Sequence, residues 1–192
     1  MNKIKFNSPF LTGKELNYIK DVFNENQFFG VGKYTKKCEK LIGKQLGKKN
    51  ILLTDSCTSA LEIAALLIKD KMKDEVIVPS YGFSSTANAF AKLNMKVVFA
   101  EIEKRSLMLD IDDVKKKINK KTKAIVVIHY GGMAAEINQL KNLCKENQII
   151  LIEDTAQGYG CKFNNKNLGT IGDIGCFSFH ETKNIHSGLG GA

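Results

Sequence analysis

The stretch KAIVVIHYGGMAAEINQLKNLCKENQIILI, Lys123–Ile152, decides the fold. Lys123–Ile128 is a short, nearly continuous β-branched run, Glu136–Glu146 has the mixed pattern of an amphipathic helix, and Ile149–Ile152 is apolar again. An all-apolar strand, a helix and a second such strand make a parallel crossover unit, because only a sheet covered on both faces buries both sides of a strand. Working upstream, the same rhythm predicts strands at Ile51–Leu53, Glu75–Val78 and Lys96–Ala100. Helices are predicted from about Thr58 to Ile68, through Ala87 to Leu93, and over Asp110–Ile118, the last opened by acidic residues that suit a helix N-terminus. Further upstream, Thr12-Gly-Lys-Glu15 has capping-box spacing ahead of a helix running to about Gln27. Lys33–Leu46 follows, with Tyr34, Cys38, Leu41, Ile42 and Leu46 spaced for one apolar face and Gly47 as its stop. The fold class is α/β, a mostly parallel sheet with helices on both faces.

At 192 residues the chain suits one sizeable domain, and no Pro/Gly-rich linker or repeat divides it. Hydrophobic residues at 43% and charged residues at 26% are ordinary for a globular chain, and no apolar run is long enough to span a membrane. The start, MNKIKFNSPFLTG, lacks the apolar core of a signal peptide, so the cytoplasm is expected. The five cysteines include no CxxC pair and no histidines complete a zinc set, so free thiols and no metal are expected. A net charge of +9 is carried almost wholly by lysines, with Arg105 the only arginine. They are spread along the helices, which describes a solvated surface and makes neither nucleic acid nor a membrane an expected partner.

Ligands of open parallel sheets bind beyond the carboxyl ends of the strands, so the residues just after each strand are the candidates. Thr54-Asp-Ser-Cys-Thr-Ser59 opens a helix with hydroxyls and exposed N–H groups, which suits a phosphate or plain N-capping by Ser56 or Thr58. Phe83, after Pro79-Ser-Tyr-Gly, can stack on a planar ligand or pack in the core. Asp154 can hold a protonated ring nitrogen or a metal, or cap a loop. The most informative segment is Gly175-Cys-Phe-Ser-Phe-His-Glu-Thr-Lys-Asn184, where a predicted strand, Cys176–Phe179, delivers Lys183 into a loop ending in Gly188-Leu-Gly-Gly191. A lysine in a partly desolvated site can lose its proton and attack a carbonyl.

Together these segments resemble the DegT/StrS family of sugar aminotransferases. Ser178–Asn184 is similar to its cofactor-lysine motif, Glu153-Asp-Thr-Ala-Gln157 to its Glu-Asp-x-Ala-Gln motif, Ser56–Leu61 to its phosphate segment, and Pro79–Asn88 to its strand-turn-aromatic motif. The resemblance runs from about Phe6 to Ala192 and implies the large domain of a type I pyridoxal-phosphate-dependent transferase. It also implies pyridoxal 5'-phosphate as cofactor, held covalently by Lys183, which then serves as general base. Asp154 would pair with the ring nitrogen, Gln157 with the ring hydroxyl, and Phe83 would stack on the ring. Thr58, Ser178 and the backbone near Cys57 would hold the phosphate. The substrates implied are an amino-acid donor, glutamate, and a nucleotide-linked 4-keto-6-deoxy sugar of surface-polysaccharide synthesis. The wording Cys176–Asn184 is most similar to members acting on TDP-4-oxo-6-deoxyglucose.

Family members continue into a smaller C-terminal domain, so residues 1–192 are expected to be the N-terminal part of a homodimeric enzyme. Leu189 stands where the family usually has glutamate. A related sugar dehydratase would carry histidine at Lys183, and the lysine argues against it. A non-catalytic remnant or interaction module is the reading from another class.

Overall fold

A computed structural model describes residues 4–5, 7–26 and 28–192, and the chain resolves into two compact units, Met1–Leu53 and Thr54–Ala192. In the first unit, α1 spans Glu15–Asn24 and α2 spans Lys33–Leu46. The Glu15 carboxylate accepts the backbone N–H and the hydroxyl of Thr12, each at 2.7 Å, so half of the expected capping box forms. The helix stops before the predicted end, and Gln27 lies outside the described residues. Helix α2 buries only Ile42, Gly43 and Leu46, leaving Cys38 and Leu41 exposed, and Gly47 ends it in the left-handed conformation at φ 67°. Tyr34 and Lys33 both bond the Asp21 carboxylate, joining the two helices.

The second unit contains the sheet. In chain order it runs α3 (Cys57–Ile68), β1 (Glu75–Pro79), α4 (Ser84–Ala91), β2 (Lys96–Ala100), α5 (Ile111–Lys117), β3 (Thr122–Ile128) and a short 3-10 turn at Tyr130–Gly132. There follow α6 (Ile137–Asn147), β4 (Ile150–Thr155), the two-residue strands β5 (Lys162–Phe163) and β6 (Lys166–Asn167), and β7 (Ile174–Phe177). The five-stranded sheet has the order β2-β1-β3-β4-β7 with every pairing parallel.

The apolar strands still obey the two-residue alternation. Val76, Val78, Ala124, Val126 and Ile152 face α3 and α4, with Ala60, Leu61, Ala64 and Phe90. Ile77, Ile125, Val127 and Leu151 face the other way, toward Val114 of α5 and Ile137 and Leu140 of α6. Each fully buried aliphatic side chain contributes about 1.5–3 kcal/mol, so a core on both faces dominates the stability of the unit. The chain turns one way from β1 to β2 and the other way from β1 to β3, which creates a crevice at the carboxyl ends of β1 and β3.

Two expectations need correction. Ile51–Leu53 is not a strand, because the Leu53 N–H goes to the Glu39 carboxylate at 3.2 Å instead of a ladder. Only Thr54 pairs, as a single antiparallel bridge to Gly191. The strand predicted over Cys176–Phe179 lies two residues earlier, because Ser178 leaves β4 to make its own bridge with the same Gly191. Among the described residues no helix is long and apolar enough to cross a membrane.

Candidate active site

A cavity of about 280 Å³ opens at the carboxyl end of the sheet, lined by Cys57, Thr58, Phe83, Asp154, Gln157, Ser178 and Lys183. All seven sequence candidates thus meet in one place.

Cys57 and Thr58 begin α3, whose N-cap Ser56 accepts the Ser59 N–H through its side chain. The N–H groups of Cys57 and Thr58 belong to the first turn, where a helix has no internal acceptor for them. Gly191 holds that turn in position by passing so close that a Cβ there would lie 2.3 Å from the Ser56 carbonyl carbon and 2.5 Å from the Cys57 nitrogen. Ser178 stands on the other side of Gly191. Its hydroxyl oxygen accepts the His180 N–H at 3.4 Å, leaving its own proton to donate. The Cys57 side chain is turned inward, its sulfur 3.9 Å from the Asp154 carboxylate, and burial pushes its thiol far up so that it stays neutral.

Asp154, near the end of β4, is buried. Its Oδ2 accepts the Thr86 hydroxyl at 2.6 Å and its Oδ1 accepts the Ala156 N–H at 3.1 Å. Burial pushes the carboxyl above its ordinary range, opposed by the Thr86 and Ala156 bonds and by the nearby Lys183 and His129. A carboxylate prepared in this way is suited to share a proton with a basic ring nitrogen. Gln157 has its side-chain oxygen fixed by the Gly131 N–H at 2.6 Å, which assigns the amide orientation and leaves its NH₂ as the free end. Phe83 is the N-cap of α4 and 78% exposed, so its ring forms a wall that packs little protein.

Lys183 sits in a loop closed on itself by backbone bonds, Phe179 N–H to Gly190 O at 2.8 Å and Glu181 N–H to Gly188 O at 3.0 Å. That closure turns the chain back beside β7 and points the 178–190 segment at the cavity. Leu189 is exposed and also lines it.

The donor set fits a flat, phosphorylated pyridine: helix N–H groups with Thr58 and Ser178 for a dianion, Asp154 for a ring nitrogen, Gln157 for a ring oxygen, Phe83 for a ring face and Lys183 for a carbonyl. Three features were missed in the sequence. Thr86 lies inside the quoted Pro79–Asn88 segment, three residues after Phe83 and hence on the first helical turn. Tyr130 lines the cavity and its hydroxyl accepts from Tyr81 at 2.9 Å, with ring centroids 5.0 Å apart. Beneath the site His129 and Glu153 form a buried pair whose partners come from a distant loop, a relationship with no local signal.

Comparison with known proteins bears on the family and the fold. The chain is 39% identical over 183 residues to the GDP-perosamine synthase of Vibrio cholerae, covering 95% of this chain and 50% of that protein. Among solved structures it is similar to Helicobacter pylori PseC, an aminotransferase involved in the biosynthesis of pseudoaminic acid, with a TM-score of 0.91 and 28% identity, over 99% of this chain and 51% of that one. It is likewise similar to the E. coli GDP-4-keto-6-deoxy-D-mannose-3-dehydratase holding hydrated PLP, with a TM-score of 0.89 and 29% identity, over 100% and 50% of the two chains. The chain spans about half the length of the curated relatives it matches. Residues 9–192 match the model of the DegT/DnrJ/EryC1/StrS aminotransferase family, and the chain belongs to that family.

Proposed function

We propose that the protein of which this chain forms part is a pyridoxal-phosphate-dependent aminotransferase that converts the ketone of a nucleoside-diphosphate-linked 4-keto-6-deoxyhexose to an amine. One observation carries the reading: Lys183, Phe83 and the pair Asp154 and Gln157, from three separate segments, line one cavity together with the start of α3. When bound, pyridoxal phosphate supplies an electron sink and carries the amino group from donor to acceptor. The residues divide the remaining work. Lys183 supplies through Nζ the amine that anchors the cofactor and the base that moves a proton. Asp154 holds the proton of the ring nitrogen, Gln157 donates to the ring hydroxyl through its free NH₂, and Phe83 shields one face from water. The first turn of α3 and the Ser178 hydroxyl bind the phosphate.

Lysine at position 183 favours amino transfer over the dehydration performed by some relatives, since a base that also anchors the cofactor can exchange it with an amino donor. Glutamate is the proposed donor. The resemblance in Cys176–Asn184 favours a thymidine carrier, while the V. cholerae relative is named for a guanosine one. The reaction is placed in the cytoplasm, in surface-polysaccharide synthesis, and in a homodimer. Leu16, Ile19 and Phe23 of α1 are all exposed, which supports a larger assembly that covers them.

The test is to supply the full-length protein with pyridoxal phosphate, glutamate and either TDP- or GDP-4-keto-6-deoxyhexose, and to follow the sugar nucleotide by mass spectrometry. Exchange of the ketone oxygen for an amine with one carrier supports the proposal. Loss of water from the sugar without amine gain, or no change with either, overturns it.

A further inference from the structure

The Thr86 hydroxyl is spent in an unusual direction. A threonine in the first turn of a helix ordinarily caps that helix or bonds back to its own backbone. Thr86 is buried on α4, yet its Oγ1 lies 2.6 Å from Oδ2 of Asp154 on β4. The partners of Asp154 are not equivalent. Ala156 offers Oδ1 a backbone N–H, which can only donate, so Oδ1 must remain an unprotonated acceptor. The thiol of Cys57 approaches the same oxygen. Any proton Asp154 takes up therefore belongs on Oδ2, opposite the Thr86 hydroxyl, which can either donate or accept. The same helix begins at Phe83, so the Thr86–Asp154 bond also fixes how far the aromatic wall stands from the carboxylate.

We infer that Thr86 is a positioning residue for the cofactor, holding Asp154 through Oδ2 in the ionised, correctly turned form that receives the ring nitrogen. This rests on the pyridoxal-phosphate reading above. The other groups acting on Asp154 are Lys183 and His129, which favour its charge, and the neutral thiols of Cys57 and Cys176. None of them replaces a short hydroxyl bond to Oδ2. Removing that bond leaves burial less opposed, so the Asp154 carboxyl should titrate at higher pH.

The experiment compares Thr86→Val, Thr86→Ser, Thr86→Ala and Asp154→Ala in the full-length protein. Two quantities are measured: the pyridoxal phosphate dissociation constant by equilibrium dialysis, and the Asp154 titration midpoint by carbon NMR of aspartate-labelled protein without cofactor. Thr86→Val should weaken the cofactor about tenfold or more, the loss expected of one hydrogen bond to a charged group, and should raise the midpoint. Thr86→Ser, which keeps the donor, should restore both. If Thr86→Val does not fold, the Ser and Ala variants decide, since both lack the methyl group and only Ser keeps the hydroxyl. Equal affinities and midpoints for Ser and Ala, or wild-type values in Val, overturn the inference. Wild-type affinity in Asp154→Ala would instead overturn the cofactor reading itself.

Discussion

His129 and Glu153 form a fully buried pair directly under the site, Nε2 lying 2.9 Å from Oε2. The Ala135 N–H points at Nδ1 of the same ring at 3.3 Å, so in a neutral imidazole the proton is on Nε2 and is donated to Glu153. The carboxylate also accepts the N–H groups of Gly169, Ile171 and Gly172, at 2.8, 2.7 and 2.5 Å. One side chain thus ties the 169–172 segment to the strand that carries Asp154.

Burial opposes the charge of Glu153, but the His129 bond and the backbone N–H groups outweigh it and hold the carboxyl below its ordinary value. A carboxyl lowered in this way stabilises the fold above the unfolded value of 4.5 and loses that contribution as pH falls through the folded value. Glu153→Gln turns an amide NH₂ toward groups that can only donate. It should cost about 3–5 kcal/mol at pH 7, as breaking a buried pair does, with the difference from wild type closing as pH falls below the unfolded value. Urea unfolding at both ends of that range checks it.

Asp154 behaves in the opposite sense. Its carboxyl is raised, so its stability contribution is present below the unfolded value of 3.8 and is lost as pH rises through the folded value. Without cofactor, Asp154→Asn should therefore melt above wild type at pH 7, with the advantage shrinking toward pH 4. The same variant should bind pyridoxal phosphate more weakly. Thermal melts with and without cofactor would show both, and a variant less stable than wild type at pH 7 would mean that Asp154 is a structural cap.

Gly191→Ala tests the contact that aims the start of α3. The added methyl meets backbone atoms of Ser56 and Cys57, which cannot step aside like a flexible side chain. Overpacking of this kind costs about 1–3 kcal/mol. Pyridoxal phosphate affinity should fall together with affinity for inorganic phosphate, which competes for the same turn. An unchanged phosphate affinity would separate this helix from phosphate binding.

The five thiols should differ sharply in reactivity. Burial pushes Cys144 up to about 12, and burial with the Asp154 charge pushes Cys57 and Cys176 higher still. Cys38 is exposed. Because the thiolate is the reacting species, alkylation at pH 8 should modify Cys38 first and reach Cys57, Cys144 and Cys176 only on unfolding, read by peptide mapping.

Much of the fold was legible because the strands are local and nearly all apolar. Glu75, Lys96 and Ile150 start strands within a residue of expectation, and Lys33–Leu46 is matched at both ends. The failures at Ile51–Leu53 and Cys176–Phe179 share a cause. In each, a backbone group goes to a partner that apolar patterning does not encode, the Leu53 N–H to the Glu39 carboxylate and Ser178 to its bridge with Gly191. The same holds in the site. Asp154, Gln157 and Lys183, which line one cavity, could be singled out because each lies at or beyond the end of a strand in a distinctive motif. Thr86 and the His129–Glu153 pair were not, because their function lies in partners far away in the chain.

The most direct test is to add pyridoxal phosphate to the full-length protein, trap it with borohydride, and map the modified peptide by mass spectrometry. The adduct should lie on Lys183 at one per chain, disappear in Lys183→Ala, and leave the surface lysines unmodified. A folded protein that takes up the cofactor at other lysines, or shows the same labelling in Lys183→Ala, would contradict the assignment of this cavity as the pyridoxal phosphate site.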